Sequence, residues 1–117
     1  MFKRFRRLRI NHALRDLVRQ TDLQTRSLIY PLFVVEGSGI KKEITSMPGV
    51  FQMSVDEILK ECETLISLGL DKILLFGIPS LKDSIGSDAL SEDGIIAASL
   101  RAIKAKFPNL LVITDLC

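Results

Sequence analysis

The chain has 117 residues, of which 47% are hydrophobic and 26% charged, and its net charge is +2. This length suits one domain but is less than half of the roughly 250 residues of a complete eight-stranded α/β barrel. No apolar run approaches the ~20 residues of a membrane span, and no signal-peptide core follows the basic start, so we expect a cytoplasmic protein with no membrane partner. The two cysteines, Cys62 and Cys117, are too far apart and too few for a disulfide framework.

The positive charge is concentrated at the amino terminus. Residues 1–9 hold five of the 16 Lys and Arg residues and no acid, so the rest of the chain carries 11 basic against 14 acidic residues, a balance of −3. A nucleic-acid-binding domain spreads its basic residues over a folded face, so nucleic acid is not the expected partner. Phe2, Phe5 and Leu8 recur at every third position, which favours a segment that lies against another protein surface. An oligomerisation arm is the favoured interpretation, and a disordered tail, an RNA contact and a short transit peptide are the alternatives.

Strands and helices are predicted to alternate after this arm. Asn11 is placed to cap a short helix. Residues 28–35 are predicted to form a buried strand, in which Pro31 must lie near the start or at an edge because proline donates no ladder hydrogen bond. Residues 36–53 are predicted to form a long loop.

The first long helix is predicted to begin after Ser54. Ser54 and Glu57 have the spacing of a capping box, in which the Ser54 hydroxyl accepts from the Glu57 amide and the Glu57 carboxylate reaches back. Gly69 is expected to end the helix. The apolar face comprises Val55, Ile58, Leu59, Cys62, Leu65 and Ile66. Cys62 is therefore interpreted as a core residue.

A second buried strand is predicted over residues 72–77, followed by a polar loop over residues 78–90. The acids of residues 91–93 suit the amino terminus of a second long helix, and a final strand begins near Leu110. Buried strands separated by helices predict an α/β fold with right-handed parallel crossovers. Because the carboxyl ends of parallel strands carry the chemistry in such folds, Asp115 and Cys117 are the candidate site residues.

Several segments also occur, in the same order, in one enzyme family. They are Arg6-Arg7-Leu8-Arg9, Tyr30-Pro31-Leu32-Phe33-Val34, Ser46-Met47-Pro48-Gly49-Val50, Leu75-Phe76-Gly77-Ile78-Pro79, Lys82-Asp83, Gly86-Ser87-Asp88-Ala89, Asp93-Gly94 and Ile113-Thr114-Asp115-Leu116-Cys117. The sequence thus resembles the amino-terminal part of the delta-aminolevulinic acid dehydratases, also called porphobilinogen synthases. The resemblance implies an α/β fold with an oligomerisation arm, residues 1–27, and then the first three strands of a truncated TIM-type (β/α)8 barrel, residues 28–117.

The family resemblance also implies an activity. Members of the family condense two molecules of 5-aminolevulinate to porphobilinogen with loss of water, in tetrapyrrole (heme) biosynthesis. They assemble as homo-oligomers, usually octamers. The lysines that hold the substrates as Schiff bases lie on later strands, so this chain is expected to be inactive by itself. Lys72 begins a strand on the wrong side of the sheet, and Lys82 is expected to be a loop residue.

Two residues match site positions of the family. Asp115 matches the acid at the end of the third strand, where a carboxylate can stabilise an iminium or help transfer a proton, and its alternative role is to cap the following loop. Cys117 matches the first of three cysteines in the zinc-type site, and its alternative role is that of a small apolar residue at a strand end. Members that use other metals tend to carry Ala at this position, so zinc is the expected metal and magnesium the alternative.

Other hypotheses depend on weaker signals. Glu36 follows the first strand on the active side and is expected to be a solvated loop acid, whereas His12 has no partner at metal-ligand spacing. A response-regulator receiver would place its phosphoacceptor where Asp115 lies, but it needs an acidic pair after the first strand and this chain offers only Glu36. A non-catalytic assembly fragment that binds a partner subunit through the basic arm is the third possibility.

Overall fold

A five-stranded sheet is the centre of residues 6–115, the part of the chain that this computed structural model describes. The strands are β1 (Tyr30–Val35), β2 (Lys41–Glu43), β3 (Phe51–Met53), β4 (Lys72–Ile78) and β5 (Leu111–Thr114). The helices are α1 (His12–Leu17), α2 (Val55–Ser67), α3 (Ser87–Leu90) and α4 (Ile95–Lys106). Two 3₁₀ turns, Arg7–Arg9 and Thr25–Ser27, lie in the amino-terminal segment. The strands lie in the order β2-β3-β1-β4-β5.

The three predicted strands are parallel neighbours. β4 pairs with β1 on one side and with β5 on the other, and both pairings are parallel. Helices α2 and α4 connect them, which confirms the predicted βαβαβ order. Pro31 lies at the second position of β1, and the pairing of β1 with β3 begins only at Phe33, so the missing N–H of the proline falls near the strand start as predicted.

The two faces of the sheet differ in what covers them. Leu32, Val34, Ile73 and Leu75 alternate along β1 and β4, are at most 2% exposed, and belong to one core cluster with the buried residues of α2 and α4. The intervening side chains point to the other side of the pleat and lie outside that core cluster, and most of them are half-buried, although Pro31 is exposed. We call this side the open face; it is formed by Phe33, Leu74, Phe76 and Ile113.

The predicted loop over residues 36–53 contains a β-hairpin, so that prediction was wrong. β2 and β3 pair antiparallel, and β3 extends the sheet beyond β1. The backbone N–H of Val50 donates to the Met47 carbonyl at 3.0 Å around Pro48 and Gly49, and Gly49 has φ +81°, as a type II turn requires. Each of the two strands has only three residues. Because β2 is entirely charged and exposed, its sequence has no apolar alternation that would predict a strand.

The start of α2 was predicted correctly, but not its hydrogen bonds. The Ser54 side chain makes no cap bond, and instead its Oγ accepts from the Ile40 backbone N–H at 2.9 Å. Glu57 pairs with Lys60 in the next turn of the helix, so the capping box does not form. The reason is tertiary, because the chain entering the hairpin lies against this helix end and takes the Ser54 oxygen.

Two predicted helix boundaries are confirmed: Gly69 ends α2, and Asn11 caps the start of α1. Gly69 has φ +81°, its N–H donates to Ile66 at 3.0 Å, and the Leu70 N–H donates to Leu65 at 2.9 Å, which is a Schellman motif. At the start of α1, the Asn11 Oδ1 accepts from the Leu14 backbone N–H at 2.9 Å.

Helix α4 begins later than the acids of residues 91–93 predicted. Its N-cap is Gly94, and the short helix α3 occupies part of the preceding predicted loop. The Asp88 carboxylate of α3 accepts from the Ile95 N–H at 3.3 Å, so it supplies the negative charge at this helix start. A Cβ atom on Gly94 would lie 2.2 Å from the Asp88 carbonyl oxygen, so only glycine fits this crossing.

Candidate active site

The carboxyl ends of β1, β4 and β5 meet at one edge of the sheet because the three strands are parallel. Glu36, Pro79 and Asp115 are the residues that follow them. Asp115 is exposed at this edge, one residue beyond β5. The structure therefore places Asp115 where parallel α/β folds carry their chemistry. Cys117 lies outside the described residues.

Asp115 continues a row of side chains across the open face. Phe33 is registered with Phe76, and their rings stack with centroids 5.2 Å apart and planes 19° apart. The last registered pair of β4 and β5 is Leu75 with Thr114. If this register is continued by one residue, Phe76 is aligned with Asp115. Neither phenylalanine stands out in the sequence as a candidate site residue. The available signal was an aromatic residue near the carboxyl end of two consecutive strands, but only the register shows that they align.

The other charged residues near the sheet ends lie where they were expected. Glu36 is exposed immediately after β1, and Lys82 is exposed in the loop after β4. Lys72 begins β4 at the opposite edge of the sheet and forms an ion pair with Asp71. Lys72 therefore lies away from the edge that carries Asp115, whereas Lys82 belongs to a loop at that edge.

The backbone of the Gly86-Ser87-Asp88 segment is bonded within its own loop. The Asp83 Oδ1 accepts from the Ser87 N–H at 2.9 Å and from the Ile85 N–H at 3.3 Å. Hydrogen bonding by Ser87, through its side chain and then its backbone, lowers the pKa of Asp83. Since a carboxylate of the same loop occupies these donors, the segment organises the loop.

Comparison with known proteins decides the family. The family model for delta-aminolevulinic acid dehydratase matches residues 2–117. The chain belongs to the delta-aminolevulinic acid dehydratase family. It is 57% identical to the dehydratase of Helicobacter pylori, over 100% of this chain and 36% of that protein. It is 47% identical to that of Halalkalibacterium halodurans, over 99% of this chain and 35% of that protein.

A solved structure agrees with this family assignment. The delta-aminolevulinic acid dehydratase (porphobilinogen synthase) of Toxoplasma gondii ME49, in complex with the reaction product porphobilinogen, matches with a TM-score of 0.90 at 34% identity. The match covers 98% of this chain and 33% of that chain. The chain thus spans about a third of the length of these relatives. The match confirms the predicted fold class. Because the chain belongs to the dehydratase family, the response-regulator receiver hypothesis was wrong.

Cys62 and His12 have different surroundings in this dehydratase-family chain. Cys62 is fully buried in the core, and burial, with a smaller effect of Glu61, raises the pKa of its thiol to about 11. His12 forms an i, i+4 pair with Asp16 at 2.9 Å. Among residues 6–115, no three His, Cys, Asp or Glu side chains lie close enough together to hold a metal ion. No helix in the same range is long and apolar enough to cross a membrane.

Proposed function

We propose that this chain acts as the amino-terminal third of a porphobilinogen synthase, which condenses two 5-aminolevulinate molecules to porphobilinogen with loss of water. The observation that carries the proposal is the match of 98% of the chain, with a TM-score of 0.90, to a third of a porphobilinogen synthase that was solved with its product. The position of Asp115 at the carboxyl edge of the parallel strands supports it.

Asp115 is the proposed catalytic residue of this third. A carboxylate at the end of the third parallel strand can stabilise a cationic iminium and can move a proton to or from the reacting carbon and nitrogen atoms. The lysines that form the Schiff bases in the family lie on later strands. Lys72 begins β4 at the opposite edge of the sheet, and the family resemblance makes Lys82 a loop residue and not a nucleophile. The 117 residues by themselves are therefore proposed to be inactive.

Cys117 is the proposed metal ligand. The family resemblance makes it the first of three thiolates, which together favour zinc over magnesium because soft thiolate ligands select zinc. Cys62 is not an alternative ligand, since its thiol is buried in the core. The zinc would supply Lewis-acid chemistry, and Cys117 would hold it as a thiolate.

The amino-terminal segment, residues 1–27, is proposed to bind a neighbouring subunit of a homo-oligomer, an octamer by family resemblance. Its described part exposes large apolar side chains that a monomer would leave in water: Leu8 at 57%, Ile10 at 73%, Leu17 at 80% and Leu23 at 82%. Arg6, Arg7 and Arg9 are exposed as well. Their positive charge complements the net negative charge of the rest of the chain, which favours contact with a neighbouring subunit. We also propose a cytoplasmic location for the assembled protein.

A chimeric enzyme tests the proposal. We define the joined enzyme as this chain followed by the remaining two thirds of the Helicobacter pylori relative, which it matches at 57% identity. The joined enzyme should convert 5-aminolevulinate to porphobilinogen, whereas the 117-residue chain should give no product above a buffer blank. A folded but inactive joined enzyme contradicts the proposal and favours a non-catalytic assembly fragment. A joined enzyme that does not fold also contradicts it, because the chain would then not fit the family's barrel.

A further inference from the structure

We infer that Phe33 is a positioning residue whose ring holds Phe76 as an apolar wall beside Asp115. The inference rests on the proposed function, because it assigns a role to Phe33 through the catalytic use of Asp115. The pattern that carries it is a row of three side chains across neighbouring strands on the open face, with Phe33 on β1, Phe76 on β4 and Asp115 just beyond β5.

The stacking geometry fixes the two rings relative to each other. Their centroids are 5.2 Å apart with an interplanar angle of 19°, within the range of stacked aromatic pairs. Both side chains are half-buried. A stacked pair of this kind contributes beyond simple apolar burial because the quadrupoles of the two rings favour this arrangement, and each ring also limits the rotation of the other.

Helix α4 packs closely against the opposite side of β4 next to the aromatic pair. The residue after Phe76 is Gly77, and a Cβ atom there would lie 2.7 Å from Ile96 of α4. Helix α4 therefore packs directly against the strand behind the aromatic row. With the backbone held on that side, the rotamer of Phe76 is the remaining freedom, and the Phe33 ring limits that rotamer.

The orientation of Phe76 matters because the register of β4 and β5, continued by one residue past Leu75 and Thr114, aligns Phe76 with Asp115. A ring at that level excludes water from one side of the carboxylate and restricts its side-chain rotation. On the other side of Phe33 the registered neighbour is Gln52, an uncharged amide. The aromatic pair therefore forms an uncharged wall on one side of the proposed catalytic acid.

Four variants of the joined enzyme test the inference. Phe33→Leu removes the ring but keeps an apolar side chain, Phe33→Tyr keeps the ring, Phe76→Leu removes the wall itself, and the double variant removes both. Phe51→Leu is the matched control, because Phe51 is a half-buried aromatic residue that packs against the core.

If Phe33 acts through Phe76, then Phe33→Leu lowers kcat about tenfold with KM within about twofold of the parent, because small misplacements of a catalytic group are costly. Phe33→Tyr retains parental kcat. The double variant is no slower than Phe76→Leu alone, since the two rings act as one unit. Phe51→Leu leaves kcat per folded enzyme unchanged, whatever it does to the melting temperature.

Three results overturn the inference: parental kcat in Phe33→Leu, an equal loss in Phe33→Tyr, or additive losses in the double variant. Each would mean that Phe33 only fills space. Failure of the proposed function gives a different result from failure of this inference. In that case the parental joined enzyme itself has no activity, before any variant is compared with it.

Discussion

The Asp56 carboxylate accepts a hydrogen bond from the backbone N–H of Gly39 at 3.0 Å, across 17 residues of sequence. The same carboxylate accepts from the Ser54 hydroxyl, whose oxygen in turn accepts from the Ile40 N–H at 2.9 Å. Asp56 and Ser54 therefore join the chain that enters the hairpin to the first turn of α2. This connection holds the start of the hairpin against the amino-terminal end of α2.

Replacing Asp56 with Asn should lower the melting temperature of the joined enzyme at neutral pH. The hydrogen bond from Ser54 is the largest cause that lowers the pKa of Asp56, and the bond from Gly39 adds to it. A folded-state pKa below the unfolded value gives stability that is present above about pH 4 and lost as the pH falls through the folded pKa. The difference in melting temperature between parent and variant should therefore shrink below about pH 4.

Glu57→Gln is the control for Asp56. In the described structure Glu57 pairs with Lys60, whose side chain is 69% exposed, so loss of this pair should change the melting temperature little. An equal loss in both variants would indicate that the capping box forms after all.

The contrast between Ser54 and Asp56 shows how far the sequence could predict the structure. Local spacing identified the start of α2, but the residues that bond there come from a distant loop, which no local pattern encodes. In the same way, apolar runs predicted the strands that carry Phe33 and Phe76. Their alignment depends on register, which the whole sheet determines. Asp115 was found because chain order alone places it after a strand.

Gly94→Ala should destabilise the joined enzyme by about 1–3 kcal/mol, the usual cost of overpacking. The added methyl group would lie 2.2 Å from the Asp88 backbone oxygen, so the loop before α4 must move away. Limited proteolysis should then cut residues 79–94 faster than in the parent. Gly86→Ala is the control. The φ angle of Gly86 is +65°, but no atom lies within 4 Å of a Cβ placed there. The alanine should therefore strain the backbone without detaching Asp88 from α4. Equal cleavage in both variants would contradict the role of Gly94.

Asp115→Asn should lower kcat of the joined enzyme by about 10²–10⁴, the range for loss of a positioned proton-transfer group. Circular dichroism should show an unchanged fold, because the side chain is exposed. Glu36→Gln provides a second carboxylate at the same edge of the sheet, and it should retain parental kcat. If the two variants lose activity equally, general charge at this edge matters, and Asp115 has no special role.

Deleting residues 1–9 should lower the oligomeric state of the joined enzyme while each barrel stays folded. The deletion removes five basic residues together with the apolar side chains that recur at every third position. Light scattering measures the mass. Replacing Arg6, Arg7 and Arg9 with Gln separates charge from chain length, and it should weaken assembly mainly at low salt. An unchanged mass after the deletion would mean that residues 1–9 are only a tail.

Cys117→Ala should remove most of the bound zinc and most of the activity of the joined enzyme. A site with three thiolates loses affinity steeply when one is removed, because the remaining two ligands and water bind zinc much less well. Metal analysis of purified parent and variant measures the zinc per subunit. Cys62→Ala is the matched control, since Cys62 is buried in the core and its replacement should cost stability but no metal. Equal zinc in the parent and Cys117→Ala would contradict the ligand role, and Asp115 would then be the single site residue proposed for this chain.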